Sequence, residues 1–337
     1  MSRDDLVILT GPDIRRILEG RQRDVMAAVG DAYVEHYRGN SCLPHSVFVR
    51  FPQRTKERII ALPGYLGGAS EIAGIKWISS FPGNLDLGIS RASAVLVLNS
   101  LETGRAQALL EGSLISAART AASAALAADK LHEPGPIDVL GVVGCGLINR
   151  EIVSYLARLG RDVRRVVVYD TERRRAEAFA ETLTAVLPEV AVEISGSVRE
   201  TMARANVLSL ATTAVVPTID DLSVCPAGAT LLHISLRDIV ADAIVGADNI
   251  VDDVDHAIRA QTSLHLAEQK LGHRQFVRGT LAQVLLGEQP ARVDAKRPVV
   301  FSPFGLGVLD LAVARLVMSE AARVGAGQRV TDFFAGT

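Results

Sequence analysis

The sequence predicts an α/β protein in which a doubly wound parallel sheet is joined to an α+β domain built from both ends of the chain. In residues 137–251, short apolar runs alternate with helical or loop segments, as in a parallel sheet whose faces are covered. Residues 47–110 contain strand-like runs without helices between them, which is typical of an antiparallel or mixed sheet. A length of 337 residues suits about two domains.

The composition is that of a packed globular protein. Hydrophobic residues make up 48% of the chain and charged residues 22%, which argues against disorder. Lys and Arg total 36 against 38 Asp and Glu, so a formal net charge of −2 provides no basic surplus to attract nucleic acid or anionic lipid. No run reaches the ~18 consecutive apolar residues of a membrane span. We therefore expect neither a nucleic-acid nor a membrane partner.

Cysteine and histidine usage indicates a reducing compartment and no metal. Cys42, Cys145 and Cys225 are odd in number and form no CxxC pair, so we expect neither disulfides nor a structural zinc. The seven histidines show no ligand spacing. The first residues place acids before a brief apolar run and lack a signal-peptide pattern, so the expected location is the cytoplasm.

The first elements are a strand, two helices and then five strands. Leu6–Leu9 is the first strand, and Thr10-Gly-Pro-Asp13 opens a helix because Pro is tolerated in the first turn. One face of the second helix carries large residues at four-residue spacing, namely Val25, Val29, Tyr33 and Tyr37. The following strands are Val47–Phe51, Arg58–Leu62, Ile72–Ser79, Ser93–Asn99 and Ala106–Leu110. Turn signals separate them at Pro63-Gly64, Pro82-Gly83-Asn84 and Thr103-Gly104.

A long helix precedes a change of pattern. Ser113–Leu131 is Ala-rich and free of Pro and Gly, which predicts one helix. The parallel strands predicted after it are Ile137–Val143, Arg164–Tyr169, Val190–Ile194, Val207–Ala211, Thr230–Ile234 and Asn249–Val251. Val308–Val324 predicts a last amphipathic helix that returns to the first domain. The predicted domains are residues 1–130 with 305–337, and residues 131–304.

A glycine-rich turn follows the first parallel strand. Gly144 permits a tight turn, and Gly146 lets the backbone approach a pyrophosphate at a helix N-terminus. Asn149 stands where the usual fingerprint has a third glycine. The next strand ends at Asp170, 24 residues after Gly146, near the spacing of the acid that binds the adenosine ribose. These features predict a Rossmann-type domain that binds NAD.

Two alternatives remain open for this turn. A Gly-x-Gly pattern also occurs in ordinary turns between a strand and a helix. Arg173, Arg174 and Arg175 follow Asp170 and could bind the 2′-phosphate of NADP. The carboxylate of Asp170 repels such a phosphate, so NAD is favoured over NADP.

Several cations occupy positions where apolar residues would be expected. Lys76 lies within a strand with apolar residues on both sides, and a buried lysine needs a partner or a function. Arg50 ends one strand-like run, Arg91 precedes another, and Arg119 interrupts the Ala-rich helix. A surface charge or an internal ion pair is the alternative for each residue. Together these cations predict a receptor for carboxylates.

A second polar group follows the Thr230–Ile234 strand. Doubly wound sheets bind ligands beyond the carboxyl ends of their strands, so Asp238 is placed to face the cofactor, and Arg237 could add a cation. Alternatively, Ser235 or Asp238 caps a helix over residues 239–245. His233 lies inside the strand and is expected to be a core histidine.

The chain resembles the ornithine cyclodeaminase/μ-crystallin family from about residue 5 to residue 325. The motifs that carry the resemblance are Gly74-Ile-Lys76-Trp77, Pro82-Gly-Asn84, Glu102-Thr-Gly104, Glu111-Gly112, Arg119-Thr-Ala-Ala122, Gly144-Cys-Gly146 and Asp238. Further segments resemble the siderophore-type 2,3-diaminopropionate biosynthesis dehydrogenases, namely Ser79–Asn84, Arg91–Asn99, Gly144–Asn149, His233–Asp238 and Ser302–Gly307.

The resemblance implies a homodimeric enzyme of siderophore or antibiotic biosynthesis that oxidises N-(2-amino-2-carboxyethyl)-L-glutamate with NAD. Hydrolysis of the oxidised product then gives 2-oxoglutarate and L-2,3-diaminopropionate. The implied catalytic residues are Lys76 and Asp238, of which Asp238 is the better candidate for activating water. The implied substrate-binding residues are Arg50, Lys76, Arg91, Arg119 and Arg237. The implied cofactor contacts are Arg119, Thr120, Gly144, Cys145, Gly146, Leu147, Ile148, Asn149, Asp170, Ser235 and Gly305.

Other activities of the same scaffold are alternatives. Leu87-Gly-Ile-Ser-Arg91 stands where ornithine cyclodeaminases carry Gly-Leu-Pro-Thr, which disfavours ornithine as the substrate. An ornithine cyclodeaminase, a ketimine reductase and an opine-type amine dehydrogenase remain open. A non-catalytic nucleotide-dependent binding protein is a further alternative, and the presence of both Lys76 and Asp238 argues against it.

Overall fold

The computed structural model describes residues 5–69, 71–159 and 161–334. The chain forms two compact units, residues 1–119 with 306–337, and residues 120–305. In the described part of the chain, each unit contains an eight-stranded sheet. The first boundary between the units falls inside a long helix, and the second follows the last strand of the second sheet.

The elements are numbered in chain order. The strands are β1 (Leu6–Leu9), β2 (Ser41–Cys42), β3 (Val47–Phe51), β4 (Arg54–Leu66), β5 (Ile72–Ser80), β6 (Ala92–Asn99), β7 (Ala106–Glu111), β8 (Leu140–Val143), β9 (Arg165–Tyr169), β10 (Ala191–Ile194), β11 (Val207–Leu210), β12 (Thr230–His233), β13 (Asp248–Val251), β14 (Val277–Thr280), β15 (Val299–Ser302) and β16 (Gln328–Val330). The α-helices are α1 (Gly11–Leu18), α2 (Gln22–Tyr37), α3 (Gly112–Leu131), α4 (Leu147–Arg158), α5 (Arg173–Val186), α6 (Val198–Arg204), α7 (Ala241–Val245), α8 (Val254–Ala257), α9 (Ser263–Leu271), α10 (Leu281–Leu285) and α11 (Gly307–Val324), and a 3₁₀ helix spans Pro82–Leu87.

The first unit contains a mixed sheet, as the sequence predicts. Its strand order is β16-β1-β7-β6-β5-β4-β2, and β3 also pairs with β4. Strands β3 to β7 form antiparallel pairs in succession, whereas β1 lies parallel to β7. Helix α11 packs on β4 and β5 and covers one face of the sheet together with α2. Leu96, Leu98 and Leu110 are buried in this core.

The turn predicted at Pro63-Gly64 is wrong, because both residues lie inside the long strand β4. On one edge of β4, the pairing with β3 ends at Ala61 and the pairing with β2 begins at Tyr65. Pro63 therefore lies where that edge has no described partner strand, and a proline is tolerated in a strand where no ladder hydrogen bond is lost. Gly64 allows close packing, since an added Cβ would lie 3.4 Å from a methyl group of Leu311 on α11.

The second unit contains a parallel sheet, which confirms the predicted doubly wound Rossmann-type fold. Its strand order is β10-β9-β8-β11-β12-β15-β13-β14. All of its strand pairs are parallel. Every residue of β8, β11, β12, β13 and β15 is buried, as expected for a sheet covered on both faces. The strand order reverses between β8 and β11, and ligands of such sheets bind at the carboxyl ends beside this point.

The predicted strands agree with the observed ones to within a few residues. Four short strands of the described structure were not predicted. These are β2, β14, β15 and β16, each with two to four residues. Runs of this length carry too few alternating positions to be recognised in a sequence. Within the described ranges, no helix is both long and apolar enough to cross a membrane.

The close approach of β5 and β6 gives a first testable prediction. A Cβ added at Gly74 would lie 2.3 Å from the carbonyl oxygen of Val97. We expect Gly74→Ala to lower the free energy of unfolding by about 1–3 kcal/mol, because the two strands must separate to accept the methyl group. Urea unfolding followed by the fluorescence of Trp77, the single tryptophan of the chain, measures the change. Gly83→Ala is the control, since its Cβ would meet no atom within 4 Å; equal losses in both variants would contradict the prediction.

Candidate active site

A buried cluster of three charged side chains lies in the first unit. Lys76 extends from β5, and its Nζ donates to Oδ2 of Asp310 on α11 at 2.7 Å and to Oγ of Ser116 at 3.2 Å. Nε of Arg119, on α3, donates to the other oxygen of Asp310 at 3.3 Å. The side chain of Lys76 is 3% exposed and that of Asp310 is 0% exposed. Two cations therefore share one buried carboxylate, which leaves a formal charge of +1.

The protonation state of each residue in this cluster depends on the charges of the other two. Burial lowers the pKa of Lys76 from its ordinary 10.5 to about 8, with Arg119 adding to the effect and Asp310 opposing it. Burial by itself would raise the pKa of Asp310, but Arg119 and Lys76 hold it below its ordinary value. Asp310 is thus ionised near neutral pH, and Lys76 is protonated until the pH rises through about 8.

Asp310 was not among the residues predicted from the sequence, although an internal ion pair was open as an alternative for Lys76. Asp310 is the single acid in the apolar segment from Gly307 to Val313. An acid flanked by apolar residues in a buried helix is the same kind of signal that identified Lys76 in its strand. The pairing itself could not be derived from the sequence, because the two residues are 234 positions apart.

Arg50 and Arg91 lie on the same unit without bonding to this cluster in the described structure. Arg50 is exposed on β3, and its guanidinium stacks over the ring of Phe48 at 5.1 Å from the centroid. Arg91 lies between the 3₁₀ helix and β6 and is half-buried. Its Nε is buried and has no hydrogen-bond partner among the described residues. Arg91 therefore keeps an unused donor.

The glycine-rich turn lies in the second unit, at the carboxyl end of β8. Gly144 has a φ of 93°, and an added Cβ would lie 2.5 Å from the carbonyl oxygen of Ala211, so only glycine fits there. Gly146 precedes the first residue of α4, and a Cβ added to it would meet open space. Leu147 and Ile148 begin the helix. The free N–H groups of this helix start can donate hydrogen bonds to a phosphate group.

Asp170 lies directly beside this turn, after the end of β9. Its Oδ2 accepts the main-chain N–H of Cys145 at 2.8 Å, and its Oδ1 accepts that of Glu172 at 3.0 Å. Burial and the charge of Asp170 raise the pKa of the Cys145 thiol to about 12. The structure therefore brings the predicted ribose-binding acid and the glycine turn together, and the thiol of Cys145 is uncharged near neutral pH.

Asn149 is buried beneath the turn. Its Nδ2 donates to the carbonyl oxygens of Val143 at 2.9 Å and Gly144 at 2.7 Å, and its Oδ1 accepts from Oγ of Ser209 at 2.6 Å. The side chain thereby fastens the turn to β8 and β11. We infer that it positions the glycine turn instead of contacting a ligand directly.

Asp238 is buried at the carboxyl ends of β11 and β12. Its Oδ1 accepts a hydrogen bond from the hydroxyl of Thr212, and its Oδ2 accepts one from the hydroxyl of Ser235. Nε2 of His233 lies 3.3 Å from Oδ2 of Asp238. Burial by itself would raise the pKa of Asp238, but His233, Ser235 and Thr212 hold it below its ordinary value. The result is an ionised carboxylate that lies beside His233 and accepts a hydroxyl hydrogen bond on each oxygen.

The alternative role of Ser235 or Asp238 as a helix cap is wrong. Helix α7 begins at Ala241, its N-cap residue is Val240, and no side chain caps it. His233 is fully buried, as the sequence predicts for a core histidine, and its Nδ1 lies 3.1 Å from Oγ of Ser302.

Three predicted residues lie outside these clusters. Arg237 is half-buried, and its Nη2 donates to the carbonyl oxygen of Ala260 at 2.7 Å. Thr120 follows Arg119 on α3 and is half-buried. Gly305 has a φ of 91°, and its N–H donates to Oδ2 of the buried Asp252 at 2.7 Å. Asp252 and Thr212 were both missed, although each closely follows a buried strand as Asp238 does.

Comparisons with known proteins find similarity along most of the chain. The model of the ornithine cyclodeaminase/mu-crystallin family matches residues 15–324. N-((2S)-2-amino-2-carboxyethyl)-L-glutamate dehydrogenase of Staphylococcus aureus is 28% identical over 324 residues, which cover 94% of this chain and 96% of that protein.

Two solved structures share the fold. Δ(1)-pyrroline-2-carboxylate reductase of Thermococcus litoralis, in complex with NADH and L-proline, superposes with a TM-score of 0.89 at 23% identity, over 96% of this chain and all (100%) of that chain. An archaeal alanine dehydrogenase dimer with bound NAD superposes with a TM-score of 0.86 at 25% identity, over 98% of this chain and 100% of that chain.

Proposed function

Since this chain belongs to the ornithine cyclodeaminase/mu-crystallin family, we propose that it catalyses the NAD-dependent oxidative hydrolysis of N-(2-amino-2-carboxyethyl)-L-glutamate. The products are 2-oxoglutarate and L-2,3-diaminopropionate. The observation that carries the proposal is the buried +1 cluster of Lys76, Arg119 and Asp310. A substrate with three carboxylates matches such a site, whereas the distal ammonium of ornithine would be repelled by it. The relative from Staphylococcus aureus supports the same substrate.

The chain is an NAD-dependent oxidoreductase of amino-acid substrates, and its second unit fits the cofactor. The open space at Gly146 and the start of α4 suit the pyrophosphate, and Asp170 suits the ribose hydroxyls. NAD⁺, when bound, is the oxidant of the C–N bond of the substrate. The residues that would hold it are Gly144 to Ile148 together with Asp170, and Asn149 would position their turn.

The cations of the first unit would bind and orient the substrate. Lys76 and Arg119 keep N–H donors that Asp310 does not use, and Arg119 can form paired hydrogen bonds with a carboxylate. The free Nε of Arg91 would serve a second carboxylate. Arg50 and Arg237 remain the further candidates for substrate contacts.

Asp238 would move the proton during hydrolysis. After oxidation, water attacks the carbon of the C=N bond, and the loss of one water proton makes this attack possible. Asp238 is ionised, since His233 and the hydroxyls of Ser235 and Thr212 hold its pKa below the ordinary value. Its carboxylate can accept that proton, and collapse of the adduct then releases the amine and the keto acid.

The proposed reaction is tested directly by its products. We expect the protein, incubated with NAD⁺ and N-(2-amino-2-carboxyethyl)-L-glutamate, to form NADH together with 2-oxoglutarate and 2,3-diaminopropionate, identified by mass spectrometry. Ornithine, alanine and proline are assayed in parallel. Conversion of ornithine to proline, with the glutamate adduct left intact, would replace the proposal by the cyclodeaminase alternative.

Asp238→Asn is the matched variant for this assay. The amide cannot accept a proton from water, so we expect turnover to be lost while NADH binding, measured by fluorescence, is kept. Turnover at the unmodified rate would show that another group is the base.

The position of Asp170 predicts that NADH binds more tightly than NADPH. Its carboxylate accepts from ribose hydroxyls and repels a 2′-phosphate. Asp170→Asn keeps an acceptor oxygen without the charge, so we expect the preference to shrink by about tenfold, or about 1.4 kcal/mol. Fluorescence titration with both nucleotides measures this preference, with Asp162→Asn as the control, because this exposed acid lies before the start of β9 and Asp170 lies after its end. Tighter binding of NADPH to the unmodified protein would show that the arginines after Asp170 dominate.

The outer face of the first sheet supports the proposal of a homodimer. Val47, Ala61, Trp77 and Val95 lie in register across β3, β4, β5 and β6. Three of these apolar side chains are exposed, at 63% for Val47, 41% for Trp77 and 38% for Val95. Contiguous apolar surface of this kind marks a protein interface. We propose that a second copy of the chain covers it.

Light scattering tests the dimer. We expect a mass of about twice the 35.9 kDa of one chain. Val95→Asp should shift the mass toward the monomer, because a charge would then be buried without a partner. Val215→Asp is the control, since Val215 is 83% exposed in the other unit. A mass near 35.9 kDa for the unmodified protein at micromolar concentration would reject the dimer.

A further inference from the structure

The two cations of the buried cluster could not lie together without a counter-ion. Lys76 comes from β5 and Arg119 from α3, and their side chains are only 3% and 12% exposed. Two cations that bond to the same carboxylate repel each other strongly where water is largely excluded. Asp310, from α11, contacts both, with one carboxylate oxygen for each cation.

The hydrogen bonds of the cluster leave donors for a ligand. An ammonium group has three N–H donors and a guanidinium group has five. In the described structure, Lys76 donates to Asp310 and Ser116, and Arg119 donates to the same two residues. Each cation therefore keeps at least one donor. Asp310 is fully buried, and Arg119 is the most exposed of the three charged side chains, so a ligand would reach the cations and not the acid.

We propose that Asp310 is a positioning residue of the substrate site: it fixes the Lys76 ammonium and the Arg119 guanidinium side by side, so that both receive the same carboxylate of the substrate. It acts through these two cations and does not touch the substrate. This inference rests on the proposed function only for the identity of the substrate whose carboxylate is bound. It also makes Lys76 a fixed cation and leaves the proton transfer to Asp238.

The charge of Lys76 then depends on the groups that face it. Those in the described structure are Asp310 from α11 and Arg119 and Ser116 from α3. Asp310 favours the protonated ammonium, whereas Arg119 and burial disfavour it. Removing the acid must therefore weaken proton binding by Lys76, and removing Arg119 must strengthen it.

The proton affinity of Lys76 can be measured without any substrate. The chain has five lysines, so protein labelled with ¹³C at lysine Cε gives a simple NMR spectrum, and Lys76→Met identifies the Lys76 signal by its absence. We expect this signal to titrate near pH 8 in the unmodified protein. In Asp310→Asn, the midpoint should fall by about one pH unit or more, which is a tenfold loss of proton affinity. Asp310→Glu keeps the charge and should restore most of the loss.

Glu320→Gln is the matched control. Glu320 lies on the same helix, its carboxylate is 2.6 Å from Nη2 of Arg21, and the change removes the same charge away from Lys76. We expect the midpoint to stay where it is. If Asp310→Asn does not fold, Arg119→Met provides the opposite test, because loss of a neighbouring cation must raise the midpoint. An unchanged midpoint in Asp310→Asn, or in Arg119→Met where that variant is used, overturns the proposal.

The same variants separate this inference from the proposed function. With the glutamate adduct as substrate, Asp310→Asn should raise KM far more than it lowers kcat, since binding of the carboxylate is what is lost. A shifted titration in a protein that does not turn over this adduct would leave the role of Asp310 intact and reject the substrate. Turnover of the adduct by the unmodified protein, with an unshifted Lys76 titration in Asp310→Asn, would keep the substrate and reject the role of Asp310.

Discussion

Buried carboxylates need hydrogen-bond donors for their oxygens, and this constraint shapes the candidate sites in both units of the protein. Asp310, Asp238 and Asp252 are each at most 3% exposed, and an ionised carboxylate at such depth persists only with donors on its oxygens. Asp310 joins α11 to β5 and α3 through Lys76 and Arg119. Asp252 holds the main-chain N–H groups of Phe304 and Gly305. The elements that carry functional side chains are fixed by these bonds.

The kind of donor determines what each carboxylate can do. Asp310 faces two cations, so its charge is more than cancelled and the cluster is positive. Asp238 accepts hydrogen bonds from the hydroxyls of Thr212 and Ser235 and lies beside His233, and these groups keep it ionised. Asp252 receives main-chain N–H groups, but burial outweighs them and raises its pKa. The three acids thus lie in three different settings: between two cations, beside two hydroxyls and a histidine, and against main-chain N–H groups.

Most of the fold could be predicted because its signals are local. Apolar runs bounded by turns indicate each of the longer strands, and Gly144 with Asp170 indicates the nucleotide site through their spacing. The predictions that failed depend on contacts between residues that are far apart in the sequence. Pro63 is a turn residue by itself and becomes a strand residue only because no described strand pairs with that edge of β4. Asp310 belongs with Lys76 only because α11 packs on β5.

The candidate site was predicted less completely than the fold, for the same physical reason. Lys76, Arg119 and Asp238 could be selected as charged residues in apolar surroundings, but their partners Asp310 and Thr212 come from distant parts of the chain. The partners decide the chemistry. A lysine without Asp310 would lose its proton more readily and could serve as a base, whereas the ion pair makes it a cation. In the proposed mechanism, carboxylate binding is assigned to the positive cluster of the first unit, and proton acceptance is assigned to Asp238 of the second unit.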